Sequence, residues 1–158
     1  MTVQARHKCE QASRGAVNFL GCWRNQHGSE LTIKTMKDGR IDGLFKTGVG
    51  AHDPNEEFAV TGFVSDDLIT FSVDFGHYDC LTSWAGQMTN ENGIERVYTM
   101  WHLARGIPEN AEKSSLWAGI WTGADTFVRA EDKDERNLAL FDRPVFTPSY
   151  PFQVSKKR

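Results

Sequence analysis

Residues 68–75, LITFSVDF, decide the fold class. The odd-numbered residues of this stretch are all apolar, whereas Thr70, Ser72 and Asp74 fall on the opposite face with Leu68. Because successive side chains of a β-strand point to opposite sides of the sheet, the alternation predicts a strand with one buried face. The turn-forming run at residues 65–67, SDD, precedes the stretch, so we expect the strand to begin directly after a tight turn.

Similar segments continue on both sides of this strand, rich in β-branched or aromatic residues and separated by Gly, Asn or Asp. The predicted strands are residues 17–24, 30–36, 40–46, 57–63, 68–75, 81–89, 95–104 and 118–130. Short turns between neighbours favour an up-and-down order, and eight such strands can close around a small ligand. The predicted fold is all-β: an eight-stranded antiparallel up-and-down β-barrel with an irregular C-terminal extension.

A chain of 158 residues is expected to hold one such domain. The predicted organisation is an N-terminal extension over residues 1–15, the barrel over 16–130 and a C-terminal extension over 131–158. The C-terminal extension begins with a mixed-charge run, EDKDER, and then carries three prolines, which disfavour a compact fold of its own. It also carries four aromatic residues, which disordered tails usually lack, so we expect it to dock on the barrel or at a subunit interface.

Composition and charge argue against several classes of protein. A net charge of −3 without a basic stripe argues against binding nucleic acid, and no apolar run approaches membrane-spanning length. The first 18 residues lack the apolar region of a signal peptide. The protein is therefore expected to be cytoplasmic if the chain is complete, and secreted if a signal has been removed.

Neither the cysteines nor the histidines form a pattern with a known chemistry. Cys9, Cys22 and Cys80 have irregular spacing, so we expect free thiols, with one disulfide as the alternative. The five histidines show no metal-ligand spacing, so no metal site is expected. His77 precedes Cys80 by three residues, and a Cys-dependent enzyme is the weakest of the alternatives, because sequence neighbours in a loop rarely adopt catalytic geometry. We expect no catalysis.

Five segments of the chain resemble the avidin and streptavidin family, in order and with compatible spacing. They are G-x-W-x-N-x-x-G-S at residues 21–29, a strand and the loop after it at 39–50, T-x-W-x-G-Q at 82–87, T-x-W-x-L at 99–103 and W-x7-D-T-F at 117–127. Together the resemblance covers about residues 19–130. It implies a barrel that binds biotin non-covalently, with high affinity and without turnover, and that needs no cofactor.

The resemblance also implies which side chains meet the ureido group of biotin. This group has one carbonyl acceptor and two N–H donors, and burying a polar group unpaired costs roughly 2–7 kcal/mol. Asn25 and Ser29 would donate to the ureido oxygen, while Asp125 and Thr47 would each accept one N–H. An ionised Asp125 makes a charge-assisted bond, which is stronger than a neutral one. Thr82 would contact the ring sulfur.

Aromatic walls are implied for the rings and methylene groups of the ligand. Phe75, Trp84 and Trp101 would come from the same subunit, and Trp117 would reach into the site of a neighbouring subunit. A homodimer or homotetramer is therefore expected, with Trp117 contributed across an interface. The resemblance assigns no role to Trp121, which is expected to serve in packing or at an interface.

Four predicted site residues depart from the family pattern. Phe45 stands where a Tyr usually supplies a third hydrogen bond to the ureido oxygen, and Phe75 stands where a Trp is common. Cys80 replaces a frequent Ser. Ala51, with His52 beside it, occupies the loop position that binds the ligand's carboxylate. These departures bear on affinity more than on the identity of the ligand.

Each of these residues also has a purely structural interpretation. Trp84 and Trp101 would otherwise be core aromatics, as Trp23 is expected to be, and Asn25 and Ser29 would be turn formers. A lipocalin-like carrier of another small apolar ligand is the alternative function. The polar set of Asn, Ser, Thr and Asp suits a urea better than a fatty chain.

Overall fold

Eight antiparallel strands form a closed barrel in chain order. The computed structural model describes residues 17–50, 53, 55–107 and 118–131. The strands are β1 (Gly21–Asn25), β2 (Glu30–Lys37), β3 (Arg40–Lys46), β4 (Phe58–Ser65), β5 (Leu68–Asp74), β6 (Cys80–Glu91), β7 (Ile94–Arg105) and β8 (Ile120–Arg129). A single turn of 3-10 helix, Gly76–Tyr78, connects β5 to β6, and pairing of β1 with β8 closes the barrel. The predicted fold class is confirmed.

The hairpin turns explain where the strands end. Asp38 and Gly39 have positive φ angles of 52° and 75°, and Asn92 and Gly93 have angles of 56° and 85°. Two consecutive residues with positive φ match the twist of antiparallel strands, so each pair forms a two-residue hairpin turn. In the longest hairpin, β6 therefore extends to Glu91 and β7 begins at Ile94, so both strands are longer than predicted.

The first and last strands begin later than predicted. Residues 17–20 do not join the sheet, and β1 starts at Gly21, whose φ of 108° breaks the extended run. Phe19 in this segment is fully buried, and its carbonyl oxygen accepts a 2.9 Å hydrogen bond from Trp23 Nε1. The segment therefore covers apolar side chains instead of pairing with a strand. At the other end of the chain, β8 starts at Ile120 because residues 118–119 form a helical turn.

Inward-facing side chains fill one half of the barrel completely. In β5 the predicted alternation is confirmed: Ile69, Phe71 and Val73 are buried, and the residues between them are exposed. The filled half contains these side chains: Phe19, Trp23, Ile33, Ile41, Ile69, Phe71, Met88, Val97 and Phe127. The guanidinium of Arg129 lies 3.9 Å from the Trp23 ring centroid and caps this half.

Several other expectations bear on the described residues. Cys22 and Cys80 are free thiols, while Cys9 lies outside the described residues. Within the described segments, no group of three or more His, Cys, Asp or Glu side chains could hold a metal ion. The same segments contain no helix with the length and apolarity needed to cross a membrane. The predicted N-terminal extension, and the C-terminal extension apart from Glu131, lie outside the description.

Candidate functional site

The other half of the barrel holds a cavity of about 610 Å³, at the end where β3, β5 and β7 finish and β4, β6 and β8 begin. This volume is in the range of small-molecule sites. Ten of the twelve predicted site residues line it: Asn25, Ser29, Phe45, Thr47, Phe75, Cys80, Thr82, Trp84, Trp101 and Asp125. The remaining two, Ala51 and Trp117, lie outside the described residues.

The cavity lining includes eight residues that were not predicted: His27, Val49, Gly50, Tyr78, Leu103, Arg105, Trp121 and Ala124. The expectation that Trp121 serves only in packing or at an interface is therefore incomplete. Trp121 lies opposite Leu103 in the β7–β8 ladder, and both side chains face inward near the open end. We call Asn25, Ser29 and Asp125 the inner end of the cavity, and Tyr78, Cys80 and Arg105 its mouth.

Asp125 is the acidic group at the inner end, only 5% exposed. Its Oδ2 accepts a 2.9 Å hydrogen bond from Trp84 Nε1, and its Oδ1 accepts a 3.3 Å hydrogen bond from Gln26 Nε2. The Gln26 side chain is itself held on β8, because its Oε1 accepts the N–H of Thr126 and its Nε2 donates to the Ala124 carbonyl. A carboxylate can accept about four hydrogen bonds, so Asp125 keeps capacity for a ligand N–H.

Gln26 supports the candidate site through its hydrogen bond to Asp125, and sequence reasoning missed it. It lies directly after the Asn of the first motif, and its contacts are with residues about 100 positions away in the chain. The available signal was its polar character beside Asn25. Only the closure of β1 against β8 brings its amide to Asp125.

Asn25 and Ser29 shape the β1–β2 turn and also face the cavity. Asn25 Oδ1 accepts the backbone N–H groups of His27 at 3.0 Å and Ser29 at 2.8 Å. With its oxygen bound in this way, the amide group of Asn25 is left to donate toward the cavity. Ser29 Oγ accepts the N–H of Gly48 at 2.9 Å, so its hydroxyl proton remains available as a second donor.

Two threonines supply hydroxyl groups of different kinds. Thr47 Oγ1 donates to the Val49 carbonyl at 2.9 Å and accepts the Val49 N–H at 3.3 Å, so its free capacity is a lone pair. Thr82 is 3% exposed, and its Oγ1 is the one fully buried side-chain oxygen or nitrogen without a hydrogen-bond partner among the described residues. An unpaired buried hydroxyl costs roughly 1–3 kcal/mol. Because Thr82 lines the cavity, its hydroxyl is available to a molecule that enters it.

Aromatic rings wall the cavity in a fixed arrangement. Trp84 stacks on Phe71 with ring centroids 4.9 Å apart and lies 5.1 Å from Phe45, which meets Phe75 edge to face at 6.1 Å. Trp101 lies against β8 at Gly123, where a Cβ atom would be 2.4 Å from the ring. These contacts lock the rings, so the walls are formed before any ligand enters.

The mouth contains the residues of the expected alternative chemistry. The Tyr78 hydroxyl donates to Glu56 Oε2 at 2.8 Å, and this hydrogen bond raises the pKa of Tyr78. Burial raises the pKa of the Cys80 thiol, which keeps it in the neutral and less nucleophilic form. His77 Nδ1 lies 3.7 Å from Glu56, and no hydrogen bond joins His77 to Cys80 in the described part of the chain. Within the described residues, His77 is thus not placed to act as the base that a cysteine nucleophile at Cys80 requires.

Comparisons with known proteins agree with this architecture. The crystal structure of xenavidin is 30% identical, with a TM-score of 0.64, covering 73% of this chain and 99% of xenavidin. Apo shwanavidin is 26% identical, with a TM-score of 0.58, covering 70% of this chain and 97% of its own. A crystal structure of a shwanavidin variant in complex with biotin is 25% identical, with a TM-score of 0.57, covering 73% of this chain and 100% of its own.

The family model for the avidin family matches residues 13–130, which is well over half of the chain. This range contains all eight strands and every described residue that lines the cavity. The protein belongs to the avidin family.

Proposed function

We propose that this protein binds biotin in the barrel cavity, non-covalently, with high affinity and without chemical turnover. The observation that carries the proposal is the set of hydrogen-bonding groups at the inner end. Two donors, the Asn25 amide and the Ser29 hydroxyl, face the same cavity as the acceptors of Asp125 and Thr47. A urea, with one acceptor between two donors, is complementary to this set.

The energetics favour a urea because the inner end is dry. Asn25, Ser29 and Asp125 are each at most 5% exposed, so a ligand group placed there loses its water. Each ureido atom that finds a partner avoids a desolvation cost of roughly 1–3 kcal/mol. The bond to Asp125 would be charge-assisted, and Trp84 and Gln26 already hold that carboxylate in place.

The unpaired hydroxyl of Thr82 supports the same ligand. In the proposed complex the thioether sulfur of biotin lies against Thr82 Oγ1 and, as a weak acceptor, accepts a hydrogen bond from this hydroxyl. The rings of Phe75, Trp84 and Trp101 then surround the bicyclic system and the methylene chain. A relative that is 25% identical has been crystallised with biotin, in keeping with this assignment.

A lipocalin-like carrier of an apolar ligand fits less well. A hydrocarbon chain at the inner end would leave the N–H donors of the Asn25 amide and the hydroxyl proton of Ser29 without acceptors, at roughly 2–7 kcal/mol for each buried group. A Cys-dependent reaction is disfavoured by the neutral thiol of Cys80 and the position of His77.

We also propose that the working form is a homodimer or homotetramer in which Trp117 completes the site of a neighbouring subunit. This extends the family resemblance, since Trp117 lies outside the described residues. Trp117→Ala is then expected to weaken both biotin binding and the oligomer. Size-exclusion chromatography with light scattering and a biotin titration measure the two effects. An unchanged oligomer with unchanged affinity would contradict the shared site.

A titration with biotin tests the proposed function directly. We expect one site per chain and a change in tryptophan emission, because the half-buried ring of Trp101 on the cavity wall loses contact with water. Desthiobiotin, which lacks the sulfur, should bind more weakly to the natural protein, and Thr82→Val should narrow that difference. The absence of heat and of any fluorescence change at micromolar biotin would refute the proposal.

A further inference from the structure

The mouth of the cavity carries a guanidinium group with a fixed support. Arg105, the last residue of β7, lines the cavity, and its Cζ lies 5.2 Å from the centroid of the Trp121 ring. The ring is anchored in turn, because Trp121 Nε1 donates a 3.0 Å hydrogen bond to the Ala118 carbonyl. Stacking on an aromatic face leaves the N–H groups at the edge of the guanidinium free to point away from the ring.

Arg105 has no acidic partner within the part of the chain that the structure describes. No carboxylate oxygen there lies within 4.0 Å of its guanidinium nitrogens. Three other arginines on the barrel each bind a glutamate: Arg24 with Glu30, Arg96 with Glu91 and Arg129 with Glu95. The carboxylate of Glu56 at the mouth is bound to the Tyr78 hydroxyl. The donors of Arg105 are thus available to an anion that enters the cavity.

The position of Arg105 matches the far end of a ligand that is anchored at Asp125. Asp125 pairs with Thr99, and Arg105 is six residues further along β7, roughly 20 Å of strand. Because barrel strands tilt by about 35–45° from the barrel axis, the backbones of Asp125 and Arg105 are about 15 Å apart along that axis. The two side chains extend toward each other and shorten this distance. The inward-facing side chains between them are Trp101 and Leu103. A chain of methylenes leaving the inner end would run past these two residues toward the guanidinium.

The side chains of Ala51, Tyr78 and Cys80 are poor partners for a carboxylate. Ala51, the loop position at which the family resemblance places the carboxylate contact, has no polar side chain. The thiol of Cys80 is a weak donor, and the Tyr78 hydroxyl already donates to Glu56. The guanidinium of an arginine, by contrast, has the opposite charge to a carboxylate and can donate two parallel hydrogen bonds to its oxygens.

We propose that Arg105, held against Trp121, is a specificity-determining residue that binds the carboxylate of the ligand's side chain. This inference rests on the proposed function. It predicts that the protein prefers free biotin to biotin amides, including biotin that is attached to lysine. The guanidinium of Arg105 also attracts the anionic form of the ligand during association.

Biotin and biotinamide, which differ only in this end group, a carboxylate in biotin and an uncharged carboxamide in biotinamide, test the proposal by isothermal titration and stopped-flow fluorescence. We expect the natural protein to bind biotin about three- to tenfold more tightly, the range for a partly exposed ion pair with additional hydrogen bonds. Arg105→Gln should lose affinity for biotin alone and bind the two ligands within about twofold, since its side chain carries no charge. Association with biotin should slow at high salt in the natural protein and become nearly salt-independent in the variant.

Arg40→Gln is the matched control. Arg40 also lies over an aromatic ring, 5.6 Å from the Phe63 centroid, but it is absent from the cavity lining. This variant should keep the full preference for biotin. The role of Arg105 is wrong if the natural protein binds both ligands equally, if Arg105→Gln keeps the preference for biotin, or if this variant loses equal affinity for both ligands. None of these three results contradicts the proposed function. Binding of neither ligand by the natural protein would overturn the proposed function as well.

Discussion

Phe45→Tyr tests the arrangement of donors at the inner end of the cavity. Phe45 is 3% exposed, lies between Trp84 and Phe75, and faces the cavity that Asn25 and Ser29 also line. In the proposed complex the ureido oxygen receives two hydrogen bonds, one from Asn25 Nδ2 and one from Ser29 Oγ. The family pattern places a tyrosine hydroxyl at this position as the third donor.

The expected gain follows from adding one hydroxyl to a ring that is already fixed. The ring contacts with Trp84 and Phe75 remain, so little additional conformational entropy is lost on binding. A hydrogen bond contributes about 0.5–1.5 kcal/mol net, or about 1.5–3 kcal/mol if the ureido group is polarised toward a charge by Asp125. At about 1.4 kcal/mol per factor of ten, affinity should rise between about twofold and a hundredfold.

Dissociation is the rate to measure, because changes within one binding site act mainly on the off-rate. The natural protein and Phe45→Tyr are loaded with labelled biotin and chased with excess unlabelled biotin at one pH and temperature. Phe63→Tyr serves as the control, since Phe63 lies on the outer face and is 60% exposed. If Phe45→Tyr releases biotin as fast as the natural protein, the ring does not face the ureido oxygen and the proposed donor count is wrong.

Three further predictions address other parts of the site. Asp125→Ala should weaken biotin binding by about 1–3 kcal/mol or more in a titration, since it leaves a ligand N–H unpaired, while Asp42→Ala on the outer face of β3 should have no effect. Gln26→Ala should cause a smaller loss of binding free energy for biotin, about 0.5–1.5 kcal/mol, because it removes one of the two side-chain donors that hold Asp125. A loss as large as that of Asp125→Ala would contradict this positioning role. The rate of Cys80 alkylation, followed by peptide mass spectrometry, should keep increasing as the pH rises beyond about 8.5, because the raised pKa of this thiol delays formation of the thiolate. Biotin should slow the alkylation of Cys80, which lines the cavity, and leave the alkylation rate of Cys22 unchanged.

The sequence predicted the barrel because strand signals are local. Alternation in residues 68–75 and the residues that favour positive φ, such as Asn92 and Gly93, depend on the chain within a few positions. The error over residues 17–20 has a physical reason. An extended segment that buries Phe19 over the barrel end has the same apolar character as a strand, and only the φ angle of Gly21 separates the two.

The candidate site was predictable where a motif carried it and hidden where tertiary structure created it. The motifs around Asn25, Trp84 and Asp125 identified most of the inner end. The hydrogen bonds of Gln26 depend on closure of the barrel, which brings residues about 100 positions apart together. The pair of Arg105 and Trp121 depends in the same way on the register of β7 against β8, and no local pattern marks it.

Asn25 shows that the structural and the functional interpretations of one residue can both hold. Its Oδ1 accepts two backbone N–H groups of the β1–β2 turn, and those bonds fix which way the amide points. The orientation of the donor is thus established when the barrel folds, so a ligand does not have to order it on binding. Gly28 in the same turn has a φ of 80° and does not line the cavity. A residue with a Cβ atom is strained at that angle, and the N–H of Gly28 donates to the Asn25 carbonyl at 3.0 Å. A substitution at Gly28 would therefore disturb the Asn25 amide through the backbone, although the added Cβ has no atom within 4 Å.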